Sequence, residues 1–170
     1  QYAGKFKREC CHTGKAVRLE DYKKMTDGAG TGDIRFYDVR GGWHDAGDFG
    51  RYTTAAAAAL AHIMYAYRFF PETFSVSLNI PESGNGIPDI LNECLYELKW
   101  LLKMQLQDGS VCHKLTSMRH ANFVMPARDE RQFILFPASS MATADFAAVM
   151  ALASRIYTEY DADFSRTALS

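Results

Sequence analysis

Two aspartates three residues apart, Asp45 and Asp48, stand in the stretch Gly41-Gly42-Trp43-His44-Asp45-Ala46-Gly47-Asp48-Phe49-Gly50-Arg51-Tyr52. Only Ala46 and Gly47 separate them, so a turn here can present both carboxylates on one side and let a ligand approach the backbone. Like charges held close shift each other's protonation, and a water shared between them becomes more basic. The same spacing has two further readings. Asp48 can cap the Ala-rich segment that follows, with Asp45 stabilising the loop. Alternatively the pair can bind a cation, although the ligand pattern of an EF-hand is absent. Arg51 and Tyr52 follow closely enough to position Asp48. Trp43, an aromatic in a loop, is a candidate platform for a ligand, against the ordinary alternative of core packing.

A second group of chemically active residues is Cys10-Cys11-His12. Adjacent cysteines can hardly bridge each other, so a metal or separate partners suits this cluster better than a local disulfide. Of the other two cysteines, Cys94 falls inside a helical pattern and reads as a small buried hydrophobe, while Cys112 is uninformative. His62 reads as structural. His113 and His120 lie in a long connection, where a ligand contact and a plain surface position are both open.

These residues must be positioned by the elements around them. Residues 1–42 are polar and Gly-rich, with a loop at 28–33 and a short strand or extended connection at 34–39. The Ala-rich run from Asp48 to about Phe69, with Leu60, Ile63, Met64 and Tyr67, predicts a mostly buried helix ended by Pro71. Leu91, Leu95, Leu98, Leu102 and Leu106 recur at spacings of three and four, which predicts an amphipathic helix entered at Pro88-Asp89 and stopped at Asp108-Gly109. Residues 110–137 form a long connection, and long connections in compact domains are usually functional. A last helix is expected from about Ser140 to Tyr160. Three long helices with no convincing sheet suggest an all-α chain of helical hairpins.

Composition narrows the class. The net charge is −1 over 170 residues, which gives no reason to expect a nucleic-acid or anionic-membrane partner. No apolar run approaches the roughly 20 residues needed to span a bilayer. The opening Gln1-Tyr2-Ala3-Gly4-Lys5 does not read as a signal peptide, so the expectation is that none exists or that one has been removed.

The block from Gly41 to Asp48 resembles the Asp-Ala-Gly-Asp signature of family 9 glycoside hydrolases, the cellulase and endoglucanase family. Further blocks agree in order and spacing: residues 81–93, residues 100–105, Asp108-Gly109 with His113-Lys114, residues 123–126 and residues 142–147. The resemblance covers essentially the whole chain. It implies part of an (α/α)6 barrel of six helical hairpins with the glucan cleft across one end, and residues 1–170 as the N-terminal portion of such a catalytic domain. It implies a secreted enzyme that hydrolyses β-1,4-glucosidic bonds in cellulose or a related β-glucan with inversion. Asp48 would be the general base, and Asp45 would help to hold the water. The general acid would be a Glu far downstream, absent here. Inverting hydrolysis needs two carboxyl groups about 6.5–9.5 Å apart, so the chain alone is expected to be nearly inert. The remainder of the domain or a second chain is therefore an expected partner.

By the same resemblance a structural zinc is expected on Cys10, Cys11, His12 and His44. Calcium is possible through residues outside this chain, since such sites in the family are formed mostly by downstream segments, and no organic cofactor is implied. In the family a loop separates the two cysteines, whereas here they are adjacent. His113, Trp43 and Tyr52 become candidates for sugar contacts. Two rival readings stand beside the hydrolase: a non-catalytic glucan-binding or inert fragment, and a family member acting on another β-linked sugar such as glucosamine oligomers or mixed-linkage glucan.

Overall fold

The computed structural model describes residues 10–28 and 32–170. The start of the chain and part of the expected loop at 28–33 lie outside the described residues. Three long helices are present where the apolar periodicity predicts them: α2 (Thr53–Phe69), α3 (Asp89–Lys103) and α4 (Ser140–Tyr157). Two short helices accompany them, α1 (Leu19–Thr26) and α5 (Ala162–Thr167).

The helices form one core because each has an apolar stripe that the others cover. Leu60 and Met64 of α2, Leu91, Leu98 and Leu101 of α3, and Met150 of α4 are all almost fully buried. The Tyr157 hydroxyl on α4 donates to the Leu91 carbonyl of α3 at 2.5 Å, which satisfies a phenol that has no access to water. Helix α4 begins at an N-cap, where the Ser139 side chain accepts from the Ala142 N–H. Helix α2 is only half-buried: Ala56 and Ala57 pack inward, while Ala55, Ala58 and Ala59 face outward.

The expected all-α architecture needs correction. A five-stranded sheet, of order β2-β1-β5-β4-β3, lies among the described residues. Its strands are β1 (Ala16–Arg18), β2 (Phe36–Tyr37), β3 (Arg51–Tyr52), β4 (Lys114–Thr116) and β5 (Ile134–Leu135). All are two or three residues long, below the length at which alternation can be recognised. Tertiary pairing holds them instead. Val17 pairs with Ile134 in parallel. Leu115 pairs with Leu135 antiparallel, and Arg51 with Leu115 antiparallel. Buried Val17, Leu115, Ile134 and Leu135 anchor the strands to the core.

The second amphipathic helix also ends earlier than its leucines suggest. Helix α3 stops at Lys103, and residues 105–111 fold back as a tight turn. Gly109 takes φ +84° there, and Asp108 accepts from the Ser110 N–H and hydroxyl. Leu106 thus belongs to the turn. The sheet lets three distant loops meet: the one before β1, the one before β3 and the one before β5.

Candidate active site and metal-ligand cluster

The turn before β3 is closed at both ends. The Asp45 N–H donates to the Gly50 carbonyl at 2.8 Å, and the Phe49 N–H donates to the Ala46 carbonyl at 3.1 Å. Asp45 and Asp48 therefore belong to one closed turn, with Asp45 exposed and Asp48 half-buried. Phe49 takes φ +57°, a region that costs a bulky residue energy and that clusters at functional sites. Its buried ring repays part of this by packing against His12 and His44, with centroids 5.3 Å and 5.4 Å away.

Asp48 does not cap the Ala-rich helix, because the N-cap of α2 is Tyr52 and carries no side-chain cap bond. Its carboxylate is held locally instead. Tyr52 donates its hydroxyl to Oδ2 at 2.6 Å, and the Gly50 N–H donates to Oδ1 at 3.0 Å. Burial pushes the Asp48 carboxyl up, but the bonds from Tyr52 and Gly50, with the nearby charge of His120, outweigh it and hold the group below its usual value. The Tyr52 phenol is correspondingly pushed up to about 12, chiefly by its bond to Asp48. A Cβ at Gly50 would lie 2.7 Å from the Tyr52 ring, so this glycine is required for the clamp.

The front of the turn is fixed to α3. The Trp43 N–H donates to Glu97 Oε2 at 2.5 Å, and the Trp43 indole N–H donates to Glu93 Oε1 at 2.7 Å. Glu97 is fully buried, and burial raises its carboxyl to about 7 despite the Trp43 bond and the charge of Arg51. Gly42 (φ +80°) lies so close to the Trp100 indole that a Cβ would stand 2.6 Å from the ring. Buried Arg51 donates to the Gly41 carbonyl at 2.5 Å.

His113 sits beside the turn through the sheet, where its carbonyl accepts from the Thr53 N–H at 3.0 Å. Its ring Nδ1 faces the Pro137 carbonyl at 2.9 Å, which leaves Nε2 for another partner. His62 bonds the Ala58 carbonyl on the surface of its own helix.

Three of the four expected metal ligands come together. Ligand atoms of Cys11, His12 and His44 all lie within 4.8 Å of one another. His12 Nδ1 is 3.0 Å from His44 Nε2, and Cys11 Sγ is 3.9 Å from the same nitrogen. Tetrahedral zinc ligands with bonds of about 2.0–2.3 Å stand about 3.3–3.8 Å apart. These side chains would therefore need to shift by a few tenths of an ångström or more to close on an ion. One thiolate and two imidazoles are a donor set of the kind zinc takes. Cys10 is exposed and stands outside the group. Cys94 and Cys112 are buried elsewhere. A cavity of about 310 Å³ borders Cys10, Cys11 and His12.

Two residues that sequence reasoning passed over complete the picture. Asp129 Oδ2 is 3.0 Å from His12 Nε2, and both side chains are almost fully buried. Arg131 meets the same carboxylate with two parallel bonds, Nε to Oδ1 and Nη2 to Oδ2, each 2.6 Å. This guanidinium holds the Asp129 carboxyl down at about 2, with a smaller contribution from His12. Burial lowers the His12 value, partly offset by Asp129. Arg131 Nη2 also donates to the Asp48 carbonyl at 3.2 Å, and Nη1 donates to the Arg119 carbonyl. The charged run at 128–131 inside a long connection was the only trace of them in the sequence.

The family model described as glycosyl hydrolase family 9 matches residues 3–170. A cellodextrinase of Butyrivibrio fibrisolvens is 45% identical over 169 residues, which cover 97% of this chain and 29% of that protein. A metagenome-derived family 9 endoglucanase superposes with a TM-score of 0.85 at 36% identity, covering 95% of this chain and 29% of its own. A zinc-binding triple mutant of the family 9 endoglucanase J30 superposes with a TM-score of 0.83 at 34% identity, covering 95% of this chain and 30% of its own. The chain belongs to glycosyl hydrolase family 9. It spans under a third of the length of these relatives. No helix among the described residues is long and apolar enough to cross a membrane.

Proposed function

We propose that this chain supplies the general-base half of a secreted, inverting endo-β-1,4-glucanase acting on cellulose or a related β-glucan. The observation that carries the reading is the closed Asp45–Gly50 turn, which presents an Asp48 carboxylate kept ionised by Tyr52 and Gly50. Water held between Asp45 and Asp48 attacks the anomeric carbon, and its proton passes to Asp48. The bond to the leaving oxygen breaks as a glutamic acid from another part of the domain protonates that oxygen. Tyr52 positions Asp48, while His113 Nε2 and Trp43 would contact sugar.

Residues 1–170 are then the N-terminal portion of a larger (α/α)6 catalytic domain. Exposed Tyr65 and Phe69, stacked with centroids 6.0 Å apart on α2, support this reading. So does an apolar groove between α2 and α4, lined by Ala57, Ala61 and Leu152, since apolar surface of that kind is normally covered. Cys11, His12 Nδ1 and His44 Nε2 would hold a structural zinc. Its chemistry there is to cross-link the loop before β1 to the catalytic turn.

Asp48→Asn in the full-length polypeptide tests the base assignment. Cellotetraose hydrolysis should fall by about 100- to 10,000-fold, with the melting temperature and cellotetraose binding retained. Turnover within a few-fold of the parent would refute it.

A further inference from the structure

The Cys11–His12–His44 cluster and the Asp48 turn come from different loops, yet the long connection before β5 touches both. Asp129 lies behind His12, on the ring nitrogen opposite the one that faces His44. A carboxylate can only accept in this pair, so His12 Nε2 carries the proton and the Nδ1 lone pair is turned toward Cys11 and His44. Carboxylate support behind an imidazole is the usual way a ligating histidine is oriented and made more basic. The second oxygen of Asp129 is taken by Arg131, whose planar fork spends one Nη2 contact on Asp129 and another on the Asp48 carbonyl. A lysine could not make this combination of bonds.

We propose that Asp129 and Arg131 are paired positioning residues: Asp129 orients His12 as a metal ligand, and Arg131 carries that fixed geometry to the backbone of Asp48. This rests on the zinc and general-base roles proposed above. The fixed end is the buried His12–Asp129 pair, and the positioned end is a turn whose following residue, Phe49, sits in the left-handed region. Without Arg131, the Asp48 carbonyl loses the described side-chain donor that anchors it to the β5 side of the sheet. The carboxylate would still be ionised, but its place relative to the water would no longer be fixed. A misplacement of an ångström at the reacting atoms is enough to cost a large part of the rate.

The test uses the full-length polypeptide with Arg131→Met, Arg131→Lys and Asp129→Asn variants. Zinc affinity is read by competition with a chromogenic chelator, and kcat and KM are read on cellotetraose. Arg131→Met should lower kcat about tenfold or more with KM within twofold and zinc affinity near the parent value, and Arg131→Lys should recover part of kcat. Asp129→Asn should weaken zinc about 10- to 100-fold and lower kcat as Arg131→Met does. Parent kcat in Arg131→Met, or parent zinc affinity in Asp129→Asn, would overturn the proposal. So would a parallel rise in KM and fall in melting temperature across all three variants, which marks a purely structural role. A parent polypeptide that binds no zinc would refute the metal reading and the Asp129 role with it; the Arg131 role would then be decided by kcat alone.

Discussion

Replacing Tyr52 by Phe removes one hydroxyl and leaves the packing of the ring unchanged. That hydroxyl donates to Asp48 Oδ2 at 2.6 Å, and the remaining described donor to the carboxylate is the Gly50 N–H at 3.0 Å. Burial by itself raises the Asp48 carboxyl, and the bonds from Tyr52 and Gly50 reverse that effect. A hydrogen bond to a charged acceptor is worth about 1.5–3 kcal/mol, which corresponds to about 1–2 pH units. The acid limb of kcat/KM for cellotetraose, measured with the full-length polypeptide, should therefore move up by about that amount in Tyr52→Phe. Above the limb the variant should work within a few-fold of the parent, because a base of higher pKa is also a stronger one. The sign for stability is the same. A depressed carboxyl contributes stability above its ordinary value of 3.8 and loses it as pH falls through the lowered value, and the variant should lack this contribution. An acid limb superimposable on that of the parent would refute the claim that Tyr52 tunes Asp48.

Glu97 should give the opposite pH dependence. Its carboxyl is raised from 4.5 to about 7, so the native state holds the extra proton between those values and stability falls as pH rises through that window. The shift corresponds to about 3 kcal/mol; denaturant melts of Glu97→Gln should flatten the parent's decline by about that much, and parallel curves for the two would contradict it. Gly42→Ala places a Cβ 2.6 Å from the Trp100 ring at φ +80°. It should destabilise by at least about 2 kcal/mol, visible as a lowered melting temperature, and an unchanged melt would be a refutation. Stripping zinc with a chelator should lower the melting temperature, since an ion at a hundredfold excess over its Kd stabilises by about 3 kcal/mol, and re-addition should restore it. A melt indifferent to chelation would count against the metal site.

The Asp45–Gly50 turn was legible as a candidate site because its carboxylates and their neighbours share one short stretch of sequence. Gly42, Asp45, Asp48, Gly50 and Tyr52 all act within eleven residues, so residue type and spacing carry most of the information. The long helices were legible for a related reason: Leu91, Leu95 and Leu98 repeat often enough to define a face. The sheet was not, apart from the short strand allowed at 34–39, within which β2 falls, because strands of two or three residues have no period and exist only through partners such as Val17 with Ile134. Glu97 is hidden in the same way. At its position in α3 it reads as an ordinary charge on an amphipathic helix, yet it is fully buried against the Trp43 N–H. Asp129 and Arg131 lie more than eighty residues from the groups they touch at His12 and Asp48, and no local pattern connects them. Of the two cysteines expected at the metal site, Cys11 lies beside His12 and His44, while its neighbour Cys10 is exposed and outside the group.

Proton NMR of a cello-oligosaccharide cleaved by the full-length polypeptide would read the anomer of each new reducing end before mutarotation. Attack by a water that Asp48 has deprotonated, with no covalent intermediate, requires that the α-anomer appear first. First release of the β-anomer would mean retention, and would contradict the assignment of Asp48 as the base of an inverting hydrolase.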